Sequence, residues 1–369
     1  YEPGSTFKSL VTAAAFQEKV VKAQEMMNDT GAIDVGGRVI QNWDGGSYGV
    51  MPFADFVKYS INTGFAAVAQ RMGGKRMLQY AENFGLGKAT GIELPGEEDG
   101  ILLSLDAMQP ADVATMGIGQ AVAVTPLQLL TAVCSLANDG KLLKPHIIKE
   151  IRDSDGLLVS YSSPQVVRQP VSAEVAHEVV GLMEKVLTEG GGKRAQVEGY
   201  RFAGKTGTAE RLRDNGAGYD PGRYIASFVG FGPLEDTQLA ALVAIDSPRG
   251  LYYGGEVAAP VFAEPMTQIV RILGIRPSQP PAAFQPPKPA QPAALRQPAP
   301  QPAAPAPTPT GKMPMPDVRG RTIREAAQLL KQHGLFLIPE GSGVAVRQSV
   351  APQAPVSPGT EITVRFEPR

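Results

Sequence analysis

Apolar residues along most of the chain fall at spacings that switch between helical and extended periods. Phe7, Leu10, Val11 and Ala14 lie three and four residues apart directly after Pro3-Gly4, which predicts a helix near the N-terminus. Thr125-Pro126-Leu127-Gln128 opens another helix, with threonine as N-cap, proline at the first helical position and glutamine at the third to complete a capping box; Gly140 closes it. Val175, Val179, Leu182, Met183 and Val186 make one apolar face after Ser172, and Gly190-Gly191-Gly192 stops that helix. The period then changes. Tyr224 to Gly232 and Leu239 to Ile245 are short β-rich runs separated by Pro233 and polar residues, and they read as consecutive antiparallel strands. Ala258 to Ile275 is helical by period, with Pro265 expected to kink it or delay its start. Helices first and a meander late predict an α+β domain.

Proline divides the chain. Thirteen of its 33 prolines lie between Pro277 and Pro309, in a Pro/Ala/Gln stretch that cannot bury a core and favours extended polyproline II. About 33 such residues would span roughly 100 Å. The organisation expected is a large domain over 1–275, a linker over 276–312 and a small domain over 313–369. In the small domain Thr322-Ile323-Arg324-Glu325 is a capping box, Ala326, Ala327, Leu329 and Leu330 continue the helix, and Gly334 stops it. Two strands are expected around Val344–Val346 and Ile362–Phe366, with Ser357-Pro358-Gly359 as the turn between them.

Composition narrows the function. With 35 basic and 36 acidic residues the net charge is −1, which excludes nucleic-acid binding through bulk positive charge. The lone cysteine, Cys134, excludes an intramolecular disulfide framework and a thiolate zinc cluster, and it reads as core. His146, His177 and His333 lack metal spacing, and Trp43, near Gly45-Gly46, could line a groove but reads first as a packing residue. There is no run of eighteen apolar residues. A first residue of tyrosine suggests a piece of something longer, with any export signal or anchor upstream.

Three short motifs carry candidate chemistry. Ser5-Thr6-Phe7-Lys8 sets a hydroxyl and an amine one turn apart on one helical face, at the end where the helix dipole favours developing negative charge. Serine needs a base, and a lysine whose pKa is lowered by burial or by a second cation can be that base. Alone, the same residues also describe a solvated first turn. Ser60-Ile61-Asn62 alone is a loop. Lys205-Thr206-Gly207-Thr208-Ala209 reads either as a carboxylate-binding strand facing a cleft or as an edge strand protected by its lysine.

In this order and rough spacing, the three motifs resemble those of the penicillin-binding transpeptidases. Gly91-Ile-Glu-Leu-Pro-Gly-Glu97, Gly117-Ile-Gly-Gln120 and Leu136-Ala-Asn-Asp-Gly140 extend the likeness. Tyr252 to Phe262 is similar to the end of the monofunctional class B division and elongation enzymes. Met315-Pro-Asp-Val-Arg-Gly320 and Val350 to Gly359 resemble a PASTA module, a repeat linked to wall binding, which can equally be a spacer or a docking module.

The resemblance implies the transpeptidase/serine β-lactamase fold, an antiparallel sheet covered by helices. It implies that Ser5 is the acylated nucleophile and Lys8 its base. Ser60 would relay a proton to the leaving amine, and Asn62 would hold Lys8 and the substrate amide. Lys205 would lower the Lys8 pKa and attract the substrate carboxylate, with Thr206 and Thr208 bonding that carboxylate and Gly207 letting it approach. Backbone N–H groups of Ser5 and Thr208 would form the oxyanion hole. No cofactor or metal is implied. The expected partners are D-Ala-D-Ala stem peptides, an acceptor amine, β-lactams and division or elongation membrane proteins, on the extracytoplasmic face of the bacterial membrane. The family's five-stranded sheet draws strands from upstream of the serine motif. Only four residues precede Ser5 here, so an exposed sheet edge, poor folding and weak penicillin reactivity are expected of the chain as written.

Two other readings compete with the D,D-transpeptidase. One is a serine β-lactamase or D,D-carboxypeptidase on the same fold. The other is a non-catalytic wall-binding scaffold that uses the PASTA module.

Overall fold

The computed structural model describes residues 1–213, 218–278, 313–341, 343–357 and 359–367. The chain forms two compact units, Tyr1–Pro286 and Pro287–Arg369. The expected linker lies outside the described residues from 279 onward, as does Pro358 of the expected turn.

The first unit begins with a short 3-10 turn, Gly4–Thr6, that runs into α1 (Lys8–Gln17). Every residue of α1 from Lys8 to Phe16 is buried. A helix buried on all sides belongs in the middle of a core, and α1 packs against the helices that follow, with Lys8, Ser9 and Thr12 buried beside its apolar residues. Four short strands come next: β1 (Met26–Asp29), β2 (Ala32–Val35), β3 (Arg38–Gln41) and β4 (Gly49–Pro52). They pair as two antiparallel ribbons, β1 with β4 and β2 with β3. Then come α2 (Phe53–Tyr59), α3 (Asn62–Met72), α4 (Gly74–Asn83), β5 (Ile101–Leu102), α5 (Pro110–Gly117), β6 (Val122–Ala123) and α6 (Pro126–Ala137). The Thr125/Gln128 capping box is present at the start of α6. Short ribbon strands β7 (Leu142–Leu143), β8 (Glu150–Arg152), β9 (Leu158–Tyr161) and β10 (Val166–Arg168) precede α7 (Ala173–Thr188), which Ser172 caps.

The principal sheet follows: β11 (Ala203–Leu212), β12 (Tyr219–Gly232) and β13 (Leu239–Asp246), antiparallel in that order. Its alternation sorts two cores. Val229, Phe231 and Ala203 point into the bundle with Phe7, Leu10, Phe56, Phe65 and Met183. Phe228, Val243 and Ile245 point the other way, onto Phe262, Met266 and Val270 of α8 (Gly254–Ile272). The result is helix, sheet and helical bundle in three layers, the α+β class expected.

Three local expectations need correction. Two antiparallel ribbons, β1 with β4 and β2 with β3, also precede the meander; at four residues each, these strands are too short to establish a period. Helix α8 starts at Gly254 and runs through both Pro260 and Pro265, rather than starting late. Its start is set by close packing: a Cβ on Gly254 would overlap the carbonyl oxygens of Gly207 and Ser227, which an apolar period does not register. In the second unit, α9 (Ile323–Gln332) carries its Thr322/Glu325 box as expected. Its sheet, however, has three strands: β15 (Phe336–Gly341), β18 (Glu361–Glu367) and β16 (Val344–Gln348), in that spatial order. Met313–Pro314 (β14) pairs with Pro355–Val356 (β17) on the way. Strand β15 is additional to the two strands expected, and its Pro339 is tolerated because β15 lies at the sheet edge.

Candidate active site

The turn bearing Ser5 is pinned from both sides. Gly4 N–H donates to Gly119 O at 2.8 Å, and a side chain on Gly119 would overlap that same Gly4 carbonyl. The buried Glu2 carboxylate accepts from Ala121 N–H at 2.8 Å and from Tyr219 Oη at 2.9 Å. Ser5 is thereby held in the lining of a groove of about 690 Å³.

Lys8 enters the core with α1. Its Nζ donates to Asn62 Oδ1 at 2.7 Å, Ser60 O at 2.8 Å and Ser60 Oγ at 3.3 Å, and lies 5.0 Å from the Phe65 ring centroid. Ser60 can offer both oxygens because it ends α2 in the left-handed region, at φ 61° and ψ 40°. Lys205 reaches the same hydroxyl from β11: its Nζ donates to Ser60 Oγ at 2.9 Å and to Thr206 O at 3.2 Å.

Both ammonium groups are fully buried. Burial pushes the Lys205 pKa down to about 7. Burial first, and the neighbouring Lys205 charge second, hold Lys8 well below the ordinary lysine range. Loss of hydration disfavours the charged form of each. A neutral amine one turn from a serine hydroxyl can take that hydroxyl's proton.

Alternation along β11 divides its motif. Lys205 is buried towards the helical bundle, while Thr206 and Thr208 face the start of α8, where Gly254 N–H donates to Thr208 Oγ1 at 3.1 Å. That bond occupies the threonine oxygen as an acceptor and leaves its O–H to donate. Gly207 has no room for a side chain against Ser227 Oγ and Thr6. Ser5, Ser60, Asn62, Thr206, Gly207 and Thr208 all line the groove.

Residues 1–267 match the family described as the penicillin binding protein transpeptidase domain, and residues 313–368 match the PASTA domain. The chain belongs to the penicillin-binding protein transpeptidase family. Among its relatives is Stage V sporulation protein D of Bacillus subtilis, 39% identical over 280 residues, 75% of this chain and 43% of that protein. Peptidoglycan D,D-transpeptidase FtsI of Escherichia coli is 33% identical over 280 residues, 75% of this chain and 45% of that one. The chain thus spans less than half the length of these relatives. Penicillin binding protein 3 of Mycobacterium tuberculosis, complexed with aztreonam, superposes with a TM-score of 0.69 at 29% identity over 76% of this chain and 64% of its own. The transpeptidase domain of penicillin-binding protein 3 from Burkholderia pseudomallei gives 0.68, at 29% identity, over 76% and 82%. The chain is a class B penicillin-binding protein with a C-terminal PASTA domain.

The fold also brings further residues to the groove. Of the two alternatives open for Trp43, the structure has the groove one: it is 54% exposed and lines the groove, its ring meeting Tyr253 edge-on at 5.5 Å. Tyr252 continues this aromatic wall to Tyr224, stacked at 4.2 Å. Neighbouring Gly45-Gly46 was the signal for a turn that leaves Trp43 outside. Asp29, Gln41 and Asn42 carried no signal at all. Among the described residues no cluster of three or more metal-ligating side chains occurs.

Proposed function

We propose that this chain is the catalytic part of a peptidoglycan D,D-transpeptidase that works through an acyl-serine intermediate and is acylated by β-lactams. The observation that carries the reading is the convergence of two buried lysines, Lys8 and Lys205, on Ser60 Oγ at the end of a groove that Ser5 also lines.

Neutral Lys8 takes the Ser5 proton as Ser5 Oγ attacks the carbonyl carbon of the penultimate D-Ala. The backbone N–H groups of Ser5 and Thr208 hold the oxyanion. As the C–N bond breaks, the proton passes from Lys8 through Ser60 to the departing D-Ala amine. Asn62 holds Lys8 and the stem-peptide amide. Lys205 and the hydroxyls of Thr206 and Thr208 take the terminal carboxylate. An acceptor amine then attacks the acyl-serine carbonyl carbon; Lys8 receives its proton and returns it to Ser5 Oγ as the ester C–O bond breaks, freeing Ser5. A β-lactam offers the same carbonyl and carboxylate, so it acylates Ser5 too. This chemistry belongs on the extracytoplasmic side of a bacterial membrane, alongside division or elongation proteins.

The test is mass spectrometry after penicillin treatment. The expected result is one stable adduct, located on Ser5 and absent from Ser5→Ala. An adduct that persists in Ser5→Ala would overturn the assignment. Rapid release of hydrolysed penicillin would favour the β-lactamase reading instead.

A further inference from the structure

Helix α3 begins at Asn62 without a local cap. Its N-cap position is Ile61, whose side chain cannot accept a hydrogen bond. The cap comes from elsewhere in the chain. Asn42, 4% exposed and just past the end of β3, turns its side-chain carbonyl to the first two N–H groups of α3, Asn62 N at 3.0 Å and Thr63 N at 3.3 Å.

The orientation of that amide is fixed by a carboxylate. Asp29, 1% exposed, accepts from Asn42 Nδ2 on both oxygens, at 3.0 and 2.9 Å. It also accepts from Gly31 N–H, Tyr48 N–H and Thr63 Oγ1, the last at 2.6 Å. Burial alone would push its pKa up, but these donors outweigh burial and hold it below the usual carboxylate value. A carboxylate only accepts. The Nδ2 group of Asn42 must therefore face Asp29, and Oδ1 must face the helix; a flipped amide would set donor against donor at α3.

The adjacent residue completes the clamp. Gln41 O accepts from Asn62 Nδ2 at 2.7 Å, which leaves Asn62 Oδ1 for Lys8 Nζ at 2.7 Å. Two of the three polar atoms of Asn62 that make these bonds are thus held by Gln41 and Asn42, and the third meets the lysine.

We propose that Asn42, locked by Asp29, is a positioning residue for the acylation chemistry: it caps α3 from outside the helix and thereby holds Asn62 against Lys8. It touches neither nucleophile nor substrate in this role. The proposal rests on the reading of Ser5 and Lys8 given above.

The experiment is the second-order rate of Ser5 acylation by a fluorescent penicillin on the full chain, at equal folded concentration, through a double-mutant cycle. Asn42→Ala is expected to slow acylation about ten- to a hundredfold, the scale of a misplacement approaching 1 Å. In an Asn62→Ala background the same change is expected to cost less than about twofold, because its target is gone. A merely structural role predicts the same loss in both backgrounds, and that result overturns the proposal. If Asn42→Ala does not fold, Asn42→Asp takes its place in the cycle. It keeps an acceptor for α3 but opposes Asp29 with oxygen instead of N–H, and a wild-type rate there overturns the proposal. A wild-type chain that labels on Ser5 while Asn42→Ala labels equally fast removes the positioning role alone. A wild-type chain with no Ser5 adduct removes the catalytic reading itself.

Discussion

Lys205 Nζ donates to Ser60 Oγ at 2.9 Å across 145 residues of sequence. That bond joins the sheet to the end of α2 and makes one hydroxyl the meeting point of two amines. Ser60 is consequently the residue whose loss should separate chemistry from architecture. In Ser60→Ala the backbone carbonyl still receives Lys8, so the site keeps its shape. Penicillin acylation is expected to fall on the order of a hundredfold or more, the scale of a lost proton-transfer group, with the melting temperature little changed. Stopped-flow labelling beside a thermal melt checks it.

The two lysines also set the pH dependence. In the mechanism proposed above, acylation needs Lys8 without its proton and Lys205 with it. Lys8 lies well below its ordinary value, whereas Lys205 titrates near 7. The rate should rise as Lys8 deprotonates and fall as Lys205 loses its proton above about pH 7. Lys205→Arg, which stays charged, should remove the falling limb whatever its effect on the maximum. A pH–rate profile of both proteins decides this.

Burying Lys205 costs stability, and the sign can be worked out. Between about pH 7 and its ordinary value of 10.5, the unfolded chain holds the Lys205 proton and the folded chain does not. Stability should therefore rise with pH across that window. Lys205→Met should be more stable than the parent by on the order of 1 kcal/mol or more near pH 6, with the gain shrinking towards pH 10. Denaturant melts at several pH values test it, and an equal gain at all pH values would refute it.

The seam between α8 and the motif strand leaves no space for a methyl group. A Cβ at Gly254 would meet two backbone carbonyls, which cannot move aside as a side chain can. Gly254→Ala should cost about 1–3 kcal/mol through overpacking and slow acylation by displacing Thr208, whose Oγ1 accepts from Gly254 N–H. An alanine variant with parental stability and rate would contradict this account of where α8 starts.

The first unit closes just past α8. Tyr200 Oη donates to Ile275 O at 2.7 Å, and Ser278 N–H donates to Gly199 O at 3.0 Å. The second unit has its own core, around Met315, Val318, Leu330, Ile362 and Phe366. We therefore expect removal of residues 279–369 to leave the acylation rate unchanged within about twofold, since the two cores are separate. A large loss of rate would show that the second unit packs on the first.

What could be read from sequence and what could not divide along the range of the interactions. The boxes at Thr125/Gln128 and Thr322/Glu325 are decided within four residues, and both are present. The apolar face of α7 and the paired runs of β12 and β13 follow from local period, and the three motifs were legible because each is a short contiguous string. Other features depend on partners far along the chain. Ser60 looked like a loop serine; what makes it a hub is its left-handed backbone and two lysines arriving from α1 and β11. Asn42 has no local signal of its own; its role arises only where the fold sets the uncapped start of α3 against it. Trp43 could be either core or groove, and only the fold leaves it outside. The perturbed lysines belong to this second group as well. The contiguous string Ser5-Thr6-Phe7-Lys8 is enough to set an amine one turn from a serine. That this amine is dry, with its pKa held well below the ordinary lysine range, is decided by the packing of Phe65 and Lys205 around it, because desolvation is a property of the assembled core.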